Sequence, residues 1–260
     1  MYHSISSRAS REFRKYTVPP WLFAEHMSYL AQLHYTPITV TQFTKAITDA
    51  KIGLPERPVI LTFDDGFADF YTNALPVLEQ YGFAATLYVA TAFVGGTSRW
   101  LTRENESTRA MLQWSQLSEI SAAGIECGAH SHSHSQLDRL PEAVAQGEIV
   151  LCKKILEDRL AQEISTFAYP FGYYTATLRQ LVRAAGYSSA CAVKNATSST
   201  ADDRFSLARL LVPVGMGVKG LAALLCNHDT LIETGIQRAR IAAAQLIRCS
   251  LARWTGLQKE

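Results

Sequence analysis

The chain has 260 residues, of which 48% are hydrophobic and 18% are charged. This balance supplies enough apolar side chains for a sizeable core and excludes a largely disordered chain. With 25 Lys and Arg against 23 Asp and Glu, the formal net charge is +2, so bulk electrostatics give no reason to expect nucleic-acid binding. The five cysteines include no Cys-x-x-Cys pair, which predicts free, mostly buried thiols rather than disulfides or a thiolate zinc site.

The two ends of the chain have different characters. Residues 1–5 are followed by a polar, basic stretch, and no apolar run of signal-peptide or membrane-spanning length, about 18 residues for the latter, occurs in the sequence. We therefore expect no transmembrane segment and a cytoplasmic location, an expectation that depends on the protein starting at Met1. Residues 231–260 contain a basic amphipathic helix, predicted over 236–254. It is expected to pack against protein or, alternatively, to contact a membrane surface peripherally.

Helical periodicity and short β-rich runs alternate along the chain. The helices predicted over 68–81, 115–123 and 175–185 each end at a Gly, which accepts the left-handed conformation, and each is followed by a strand candidate. Other predicted elements are the helices 20–33 and 141–161 and the strands 38–40 and 59–63. This alternation predicts a parallel sheet covered by helices. With six or seven strand candidates and no Gly-x-Gly-x-x-Gly or Walker loop, a (β/α) barrel with an inserted loop over 93–113 is favoured over a nucleotide-binding sheet.

Two adjacent carboxylates, Asp64 and Asp65, directly follow the predicted strand 59–63. Like charges this close disfavour joint ionisation unless a positive group lies near. The carboxyl ends of barrel strands are also where active sites lie in this architecture. Since a turn or a helix cap would explain one of the two residues and not both, the pair indicates a functional site.

Three of the seven histidines, His130, His132 and His134, alternate within five residues just after another strand candidate. Neutral imidazole is the commonest transition-metal ligand. Two histidines and one carboxylate would leave coordination positions open, as catalysis by a bound ion requires. The spacing leaves open which two of the three histidines bind.

The third candidate is an aromatic turn over residues 167–172, Phe-Ala-Tyr-Pro-Phe-Gly. We expect Tyr169, Pro170 and Phe171 to form a wall that positions a ring-shaped substrate. The motif is weak alone and gains meaning beside the other two.

Together these motifs resemble the polysaccharide deacetylases, the nodulation-type family also called carbohydrate esterase family four. The resemblance rests on Thr-Phe-Asp-Asp-Gly at 62–66, His-Ser-x-x-His at 130–134 and the aromatic turn. The exopolysaccharide-associated branch is similar also in Met-Tyr-His-Ser-Ile at 1–5, Asn-Ala-Leu-Pro-Val-Leu at 73–78 and Leu-Gln-Trp at 112–114. The resemblance implies an α/β fold, a distorted (β/α) barrel with about seven parallel strands, in a single domain over residues 1–230.

The resemblance also assigns roles residue by residue. It implies that Asp65, His130 and His134 bind the metal, that Asp64 stays off it as general base, and that His132 is not a ligand. The implied metal is Zn²⁺, although Ni²⁺, Co²⁺ or Mn²⁺ also suit His and Asp ligands. The implied reaction is hydrolysis of N-acetyl groups on the amino sugars of a polysaccharide or oligosaccharide, in which the ion activates water and polarises the acetyl carbonyl.

The reaction also needs an acid that protonates the leaving amine. Most relatives use a late Leu-x-His, but the late histidine here, His228, is out of step by one residue. In the branch with an early Met-Tyr-His the motif order is permuted, so His3 is the implied acid and His228 the alternative. Relatives carry further apolar residues before this motif, so either the sequence is truncated here, which would leave His3 on a frayed end, or the first strand is short.

Ala168 marks another departure, because many relatives have an Arg there that orients the base. Two interpretations of Arg209 follow. Arg209 supplies the missing charge from a neighbouring strand, or it forms an ordinary ion pair at the barrel rim.

Other functional classes fit less well. A two-histidine-one-carboxylate Fe(II) oxygenase calls for a double-stranded β architecture, and a phosphatase with an Asp-x-Asp nucleophile does not match the adjacent Asp64 and Asp65. The main alternative is a glycan-binding pseudo-enzyme that keeps the metal but lacks a placed acid. In both cases an N-acetylated glycan is the expected partner: poly-N-acetylglucosamine, a mixed exopolysaccharide or a lipid-linked precursor.

Overall fold

The computed structural model describes residues 1–193 and 196–226. Residues 1–222 form one compact unit, and a second unit begins at Ala223. The helices are α1 (Pro20–Gln32), α2 (Val40–Thr48), α3 (Leu75–Tyr81), α4 (Trp114–Ala122), α5 (Glu142–Leu160), α6 (Ala176–Ala184) and α7 (Val218–Cys226). The strands are β1 (Ser4–Ile5), β2 (Thr17–Val18), β3 (Thr36–Ile38), β4 (Pro58–Ile60), β5 (Thr62–Phe63), β6 (Thr86–Val89), β7 (Glu126–Ala129), β8 (Thr166–Ala168) and β9 (Ser189–Cys191). The predicted boundary after residue 230 and the helix within 231–260 lie outside the described residues.

The main sheet is parallel, with the strand order β5-β6-β7-β8-β9, and it curls into a half-barrel. Two further parallel pairs are β1 with β2 and β3 with β4. The predicted alternation of helices with a parallel sheet is therefore confirmed. Among the described residues the main sheet has five strands and forms a half-barrel; the expected barrel of about seven strands goes beyond this sheet and stays a prediction.

The predicted strand 59–63 is divided between two sheets. Its first part belongs to β4, which pairs with β3, while Thr62 and Phe63 pair with Thr86 and Leu87 of β6. One apolar run is thus shared between two sheets. Periodicity does not show such a division, because both halves are extended and uncharged.

The predicted strand 38–40 ends too late. Thr39 is the N-cap of α2: its Oγ1 accepts from Gln42 N at 3.1 Å, and Gln42 Oε1 accepts from Thr39 N at 2.8 Å. This reciprocal capping box satisfies two backbone donors at the helix start. It therefore places Val40 in the helix and not in the strand.

Tyr88 links three strands of the half-barrel. Its side chain is fully buried, and its hydroxyl lies 2.9 Å from Thr166 Oγ1 on β8 and 3.3 Å from Cys191 Sγ on β9. A Cβ at Gly128 on β7 would lie 2.6 Å from the Tyr88 ring. Only glycine lets β7 pass the ring at this distance.

The three described cysteines, Cys127, Cys152 and Cys191, are free and buried, as predicted. None of the helices in the described part of the chain has the length and apolar character needed to cross a membrane.

Candidate metal centre and active site

The turn after β5 directs two consecutive carboxylates to different partners. Asp65 has a φ of 79° and Gly66 a φ of 86°, a left-handed backbone that is uncommon for residues with a side chain and often marks functional sites. Both carboxylates are nevertheless buried, with Asp64 3% and Asp65 4% exposed. Asp64 contacts Arg209, and Asp65 contacts two histidines.

Asp65, His130 and His134 form a buried group whose ligand atoms lie within 4.8 Å of one another. Nε2 of His134 is 3.0 Å and Nε2 of His130 is 3.4 Å from Asp65 Oδ1. Burial opposes the charge on Asp65, but the two imidazole rings beside it, that of His134 foremost, outweigh burial, so the pKa of Asp65 is well below its ordinary value. The structure therefore brings together the three predicted ligands.

The hydrogen bonds of His130 indicate that this group suits a cation. Its Nδ1 lies 2.8 Å from the carbonyl oxygen of Ala168, which can only accept, so Nδ1 carries a proton. In the neutral ring Nε2 then has a lone pair directed at the Asp65 carboxylate. Two acceptors facing each other in a buried site repel unless a cation or a proton lies between them. One carboxylate and two imidazoles, with one ring oriented by a carbonyl, are also a donor set that Zn²⁺ and similar ions accept.

His132 lies outside this group. Its Nδ1 is 2.9 Å from Thr91 Oγ1, and its backbone N–H donates to Glu148 O at 3.2 Å. The residues on either side of the turn, Ser131 and His134, have φ values of 62° and 54°. The geometry thus selects His130 and His134 from the three histidines that spacing left open.

Arg209 forms a bidentate ion pair with Asp64. Nη1 lies 2.6 Å from Oδ1 and Nη2 lies 2.8 Å from Oδ2, and the arginine is only 6% exposed. Burial by itself would raise the pKa of Asp64, but the charge of Arg209, with His130 and His3, holds that pKa below its ordinary value. Nε2 of His130 is 4.0 Å from Asp64 Oδ2, so Asp64 borders the metal group. The structure therefore contains the first of the two arrangements considered for Arg209, in which its charge pairs with Asp64.

His3 lies near the two aspartates, on a segment held by the main sheet. Tyr2 N donates to Thr62 O at 2.8 Å, so the structure shows this segment hydrogen-bonded to the sheet and not frayed. The Nδ1 atom of His3 is buried and finds no hydrogen-bond partner among the described residues. Burial lowers the pKa of His3, and the charges of Asp65 and Asp64 act against this. His3 is therefore close enough to both carboxylates for their charges to act on it.

The alternative acid, His228, lies outside the described residues. His3 is thus the candidate acid for which the structure gives a position.

The aromatic turn contributes one exposed side chain. Phe171 is 52% exposed, and its ring packs edge-on against His134 with centroids 4.9 Å apart. Tyr169 is fully buried, and its hydroxyl donates to Phe205 O at 3.0 Å. Pro170 is buried as well. The prediction of substrate contacts through the side chains of Tyr169 and Pro170 is therefore corrected: these two support the turn, and Phe171 faces solvent.

Trp100 lies at the site although no sequence motif pointed to it. It belongs to the inserted loop, and its ring stacks on His134 with centroids 4.9 Å apart at 28°. Phe93 packs against the Trp100 ring, with centroids 4.4 Å apart. The loop has no periodicity, so nothing in the sequence indicated that the side chain of this Trp would lie at the site. In the structure, Trp100 and Phe171 flank the same histidine.

Comparison with known proteins agrees with this geometry. The family model for polysaccharide deacetylases matches residues 51–190. The protein YxkH of Bacillus subtilis (strain 168), named for the same activity, is 29% identical over 225 residues, covering 86% of this chain and 74% of that protein. The poly-beta-1,6-N-acetyl-D-glucosamine N-deacetylase of Staphylococcus aureus (strain MSSA476) is 24% identical over 213 residues, covering 78% and 70%.

Solved structures agree as well. The Streptococcus pyogenes deacetylase PplD, in complex with acetate, is similar with a TM-score of 0.75 and 26% identity, covering 86% of this chain and 96% of that one. IcaB from Ammonifex degensii shares the fold with a TM-score of 0.71 and 23% identity, covering 86% and 94%. The matched family model spans more than half of the chain and includes Asp64, Asp65 and the paired histidines. The chain therefore belongs to the polysaccharide deacetylase family.

Proposed function

We propose that this protein is a metal-dependent hydrolase that removes N-acetyl groups from the amino sugars of a glycan. The observation that carries the proposal is that two adjacent carboxylates have different partners. Asp65 faces His130 and His134, whereas Asp64 stays apart and pairs with Arg209. A metal-assisted hydrolysis needs both a ligand set and an unligated base.

Asp65, His130 and His134 would hold the ion. When bound, a divalent cation there supplies Lewis-acid chemistry, lowering the pKa of water and polarising a carbonyl. Three protein ligands leave room for substrate and solvent, as in catalytic zinc sites. We infer Zn²⁺ as the metal, with Ni²⁺, Co²⁺ and Mn²⁺ as the other ions that accept such ligands.

Asp64 is the general base of the proposal. It accepts a proton from the water that attacks the acetyl carbonyl carbon. Arg209 supports this role in two ways: its charge keeps Asp64 ionised, and its two N–H groups fix the plane of the carboxylate. Oδ2 of Asp64 is the oxygen closer to His130, at 4.0 Å from Nε2, so it is the atom we assign to proton transfer.

His3 is the general acid of the proposal. Cleavage of the amide C–N bond releases acetate and a free amine, and the nitrogen must receive a proton as the bond breaks because an amide anion is a very poor leaving group. The buried Nδ1 of His3, without a partner among the described residues, supports a role toward a group that the protein itself does not supply.

The substrate class follows from the exposed aromatic surface and from the relatives. Phe171 offers an exposed ring beside the ligand histidine, which suits the apolar face of a sugar. The Staphylococcus aureus relative is named for poly-beta-1,6-N-acetyl-D-glucosamine, and the PplD structure contains acetate, the acid that deacetylation releases. We therefore infer an N-acetylglucosamine polymer or oligomer of the exopolysaccharide type as the substrate.

The glycan-binding pseudo-enzyme is not favoured, because such a protein would lack a placed acid, whereas His3 lies close enough to Asp64 and Asp65 for their charges to act on it. A fuller, roughly seven-stranded barrel is supported by backbone contacts beyond both edges of the main sheet: Tyr2 beside Phe63, Leu207 beside Cys191, and Val212 N on Met1 O. The cytoplasmic location and peripheral membrane contact through 231–260 stay predictions.

The proposal is tested by acetate release from N-acetylglucosamine oligomers, with β-1,6 and β-1,4 linkages compared. The protein is assayed as purified, after chelation, and after addition of Zn²⁺. We expect acetate release to fall on chelation and to return when the metal is added. We expect acetate release from an O-acetylated sugar to be much slower than from the N-acetylated oligomers. Acetate release from the O-acetylated sugar alone would contradict the proposal and would indicate an esterase.

A further inference from the structure

Asp69 is a partly buried carboxylate that the proposed chemistry does not use. Its side chain is 13% exposed. Oδ2 accepts from Ser4 Oγ at 2.6 Å, and Oδ1 accepts from the backbone N–H of Ile5 at 3.0 Å. Ser4 and Ile5 are the residues that directly follow His3, so Asp69 binds the segment that carries the candidate acid.

Arg109 completes this contact from the inserted loop. Its Nη1 lies 3.3 Å from Asp69 Oδ2 and donates to Ser4 Oγ at 3.2 Å, and Nη2 donates to Arg8 O at 2.8 Å. Glu106 holds the other edge of the guanidinium, with Nε donating to Oε2 at 3.1 Å. The planar guanidinium of Arg109 thus contacts the loop, the Asp69 carboxylate and the N-terminal segment. A lysine, with a single point charge, does not reproduce these contacts.

Asp69 adds to other hydrogen bonds of this segment, in which Asn73 Nδ2 donates to Ile5 O at 2.7 Å and Ser6 N donates to Val18 O at 3.0 Å. β1 itself has two residues, and within the described part of the chain it pairs with the equally short β2. The His3 ring packs on Tyr16, with centroids 4.9 Å apart, and its Nδ1 has no hydrogen-bond partner among the described residues. The ring position is therefore set by the backbone on either side of it, through Tyr2 on one side and Ser4 with Ile5 on the other.

We propose that Asp69 and Arg109 are a positioning pair that holds His3 in register with the metal group, an inference that rests on the proposed function. Neither residue touches the reacting atoms. Their effect is to keep the acid at the leaving nitrogen, where small displacements are costly: an error of about 1 Å can lower a rate by about 100-fold.

A double-mutant cycle separates positioning from plain stabilisation. The variants are Asp69→Asn, His3→Ala and the double variant, and kcat and KM are measured for acetate release. Asn keeps the shape of Asp69 and one acceptor for Ile5 but loses the charge that Arg109 binds. We expect Asp69→Asn to lower kcat by about tenfold or more with a smaller change in KM, and by less than about twofold in the His3→Ala background. An equal loss in both backgrounds, or no loss in either, would overturn the proposal.

Asp203→Asn is the matched control. Asp203 also pairs with an arginine, Arg179, and accepts a backbone N–H, from Phe205 at 3.0 Å, but it lies away from the N-terminal segment in sequence and in these contacts. We expect this variant to keep kcat. Metal content is measured for every variant and is expected to be unchanged.

A second readout does not depend on activity. Hydrogen exchange of the backbone over residues 1–8 is expected to be faster in Asp69→Asn than in the wild type, and unchanged in Asp203→Asn. If the wild type releases no acetate, the proposed function fails and this exchange measurement still decides whether Asp69 holds the segment. Unchanged exchange over residues 1–8 would contradict the positioning role.

Discussion

Arg209 holds both carboxylate oxygens of Asp64 although the two residues are 145 positions apart in the chain. The pair is buried, with exposed side-chain fractions of 5% for Arg209 and 4% for Asp64. Removing one member leaves an uncompensated charge in the interior, which costs more than the pair itself contributes. The contact therefore joins the stability of the fold to the ionisation of the candidate base.

Arg209→Met tests this coupling. We expect a loss of about 3–5 kcal/mol in the free energy of unfolding, from denaturant titration, together with a fall in acetate release. Arg179→Met is the matched control, since its pair with Asp203 is about one-third exposed and surface pairs contribute about 1 kcal/mol or less. Equal losses for the two variants would contradict the assigned role of Arg209.

The metal site makes a prediction that distinguishes neighbouring histidines. His134→Ala removes a ligand, so we expect metal affinity to fall by more than the roughly 10–100-fold that loss of an outer partner costs. His132→Ala is expected to keep the metal, because its ring bonds Thr91 and lies outside the group. Mass spectrometry of metal content per chain checks both. Loss of metal in His132→Ala with retention in His134→Ala would reverse the ligand assignment.

The packing around Tyr88 can be tested by substituting Ala for each of two glycines. In Gly128→Ala the new Cβ would lie 2.6 Å from the Tyr88 ring and 2.9 Å from Thr166 Cγ2, so we expect a loss of about 1–3 kcal/mol in unfolding free energy. Gly147 lies within α5, and a Cβ there meets nothing within 4 Å. Gly147→Ala is therefore expected to stabilise by about 0.5–1 kcal/mol. Similar effects of the two substitutions would mean that β7 does not pass Tyr88 this closely.

The aromatic turn predicts a separation of binding from stability. Phe171→Ala is expected to raise KM with little change in the melting temperature, because the ring is exposed beside His134. Tyr169→Phe leaves the buried carbonyl of Phe205 without its donor, so we expect a stability loss of about 1–3 kcal/mol and an unchanged KM. A raised KM in Tyr169→Phe alone would restore Tyr169 as the substrate contact.

The parts of the site that were predictable are those local in sequence. Asp64 with Asp65 and the three alternating histidines each lie within one loop at the end of a strand, so spacing and strand direction sufficed to bring them to one site. Spacing did not choose between the histidines, and only the family resemblance pointed to His130 and His134. The partner of Asp64 could not be chosen in the same way, since Arg209 is reached only through the fold. Trp100 gave no signal, because its loop has no periodicity and its stacking on His134 is a tertiary contact.

The fold was predictable in kind and less so in its boundaries. Gly82, which adopts a φ of 62° after α3, is the type of signal that located helix ends correctly. Strands of two to four residues, such as β5 and β6, are too short for periodicity to separate one sheet from the next. At Thr39 a capping box overruled a β-branched run, which moved a strand end by two residues.

The most direct test of the central claim is acetate release from N-acetylglucosamine oligomers by wild type and Asp64→Asn, with metal content measured on the same samples. The account predicts about one metal ion per chain in both proteins, acetate release by the wild type, and a loss of about 100-fold or more in Asp64→Asn, as removal of a general base entails. Wild-type release that Asp64→Asn retains, or loss of the metal in that variant, would contradict the assignment of Asp64 as an unligated base.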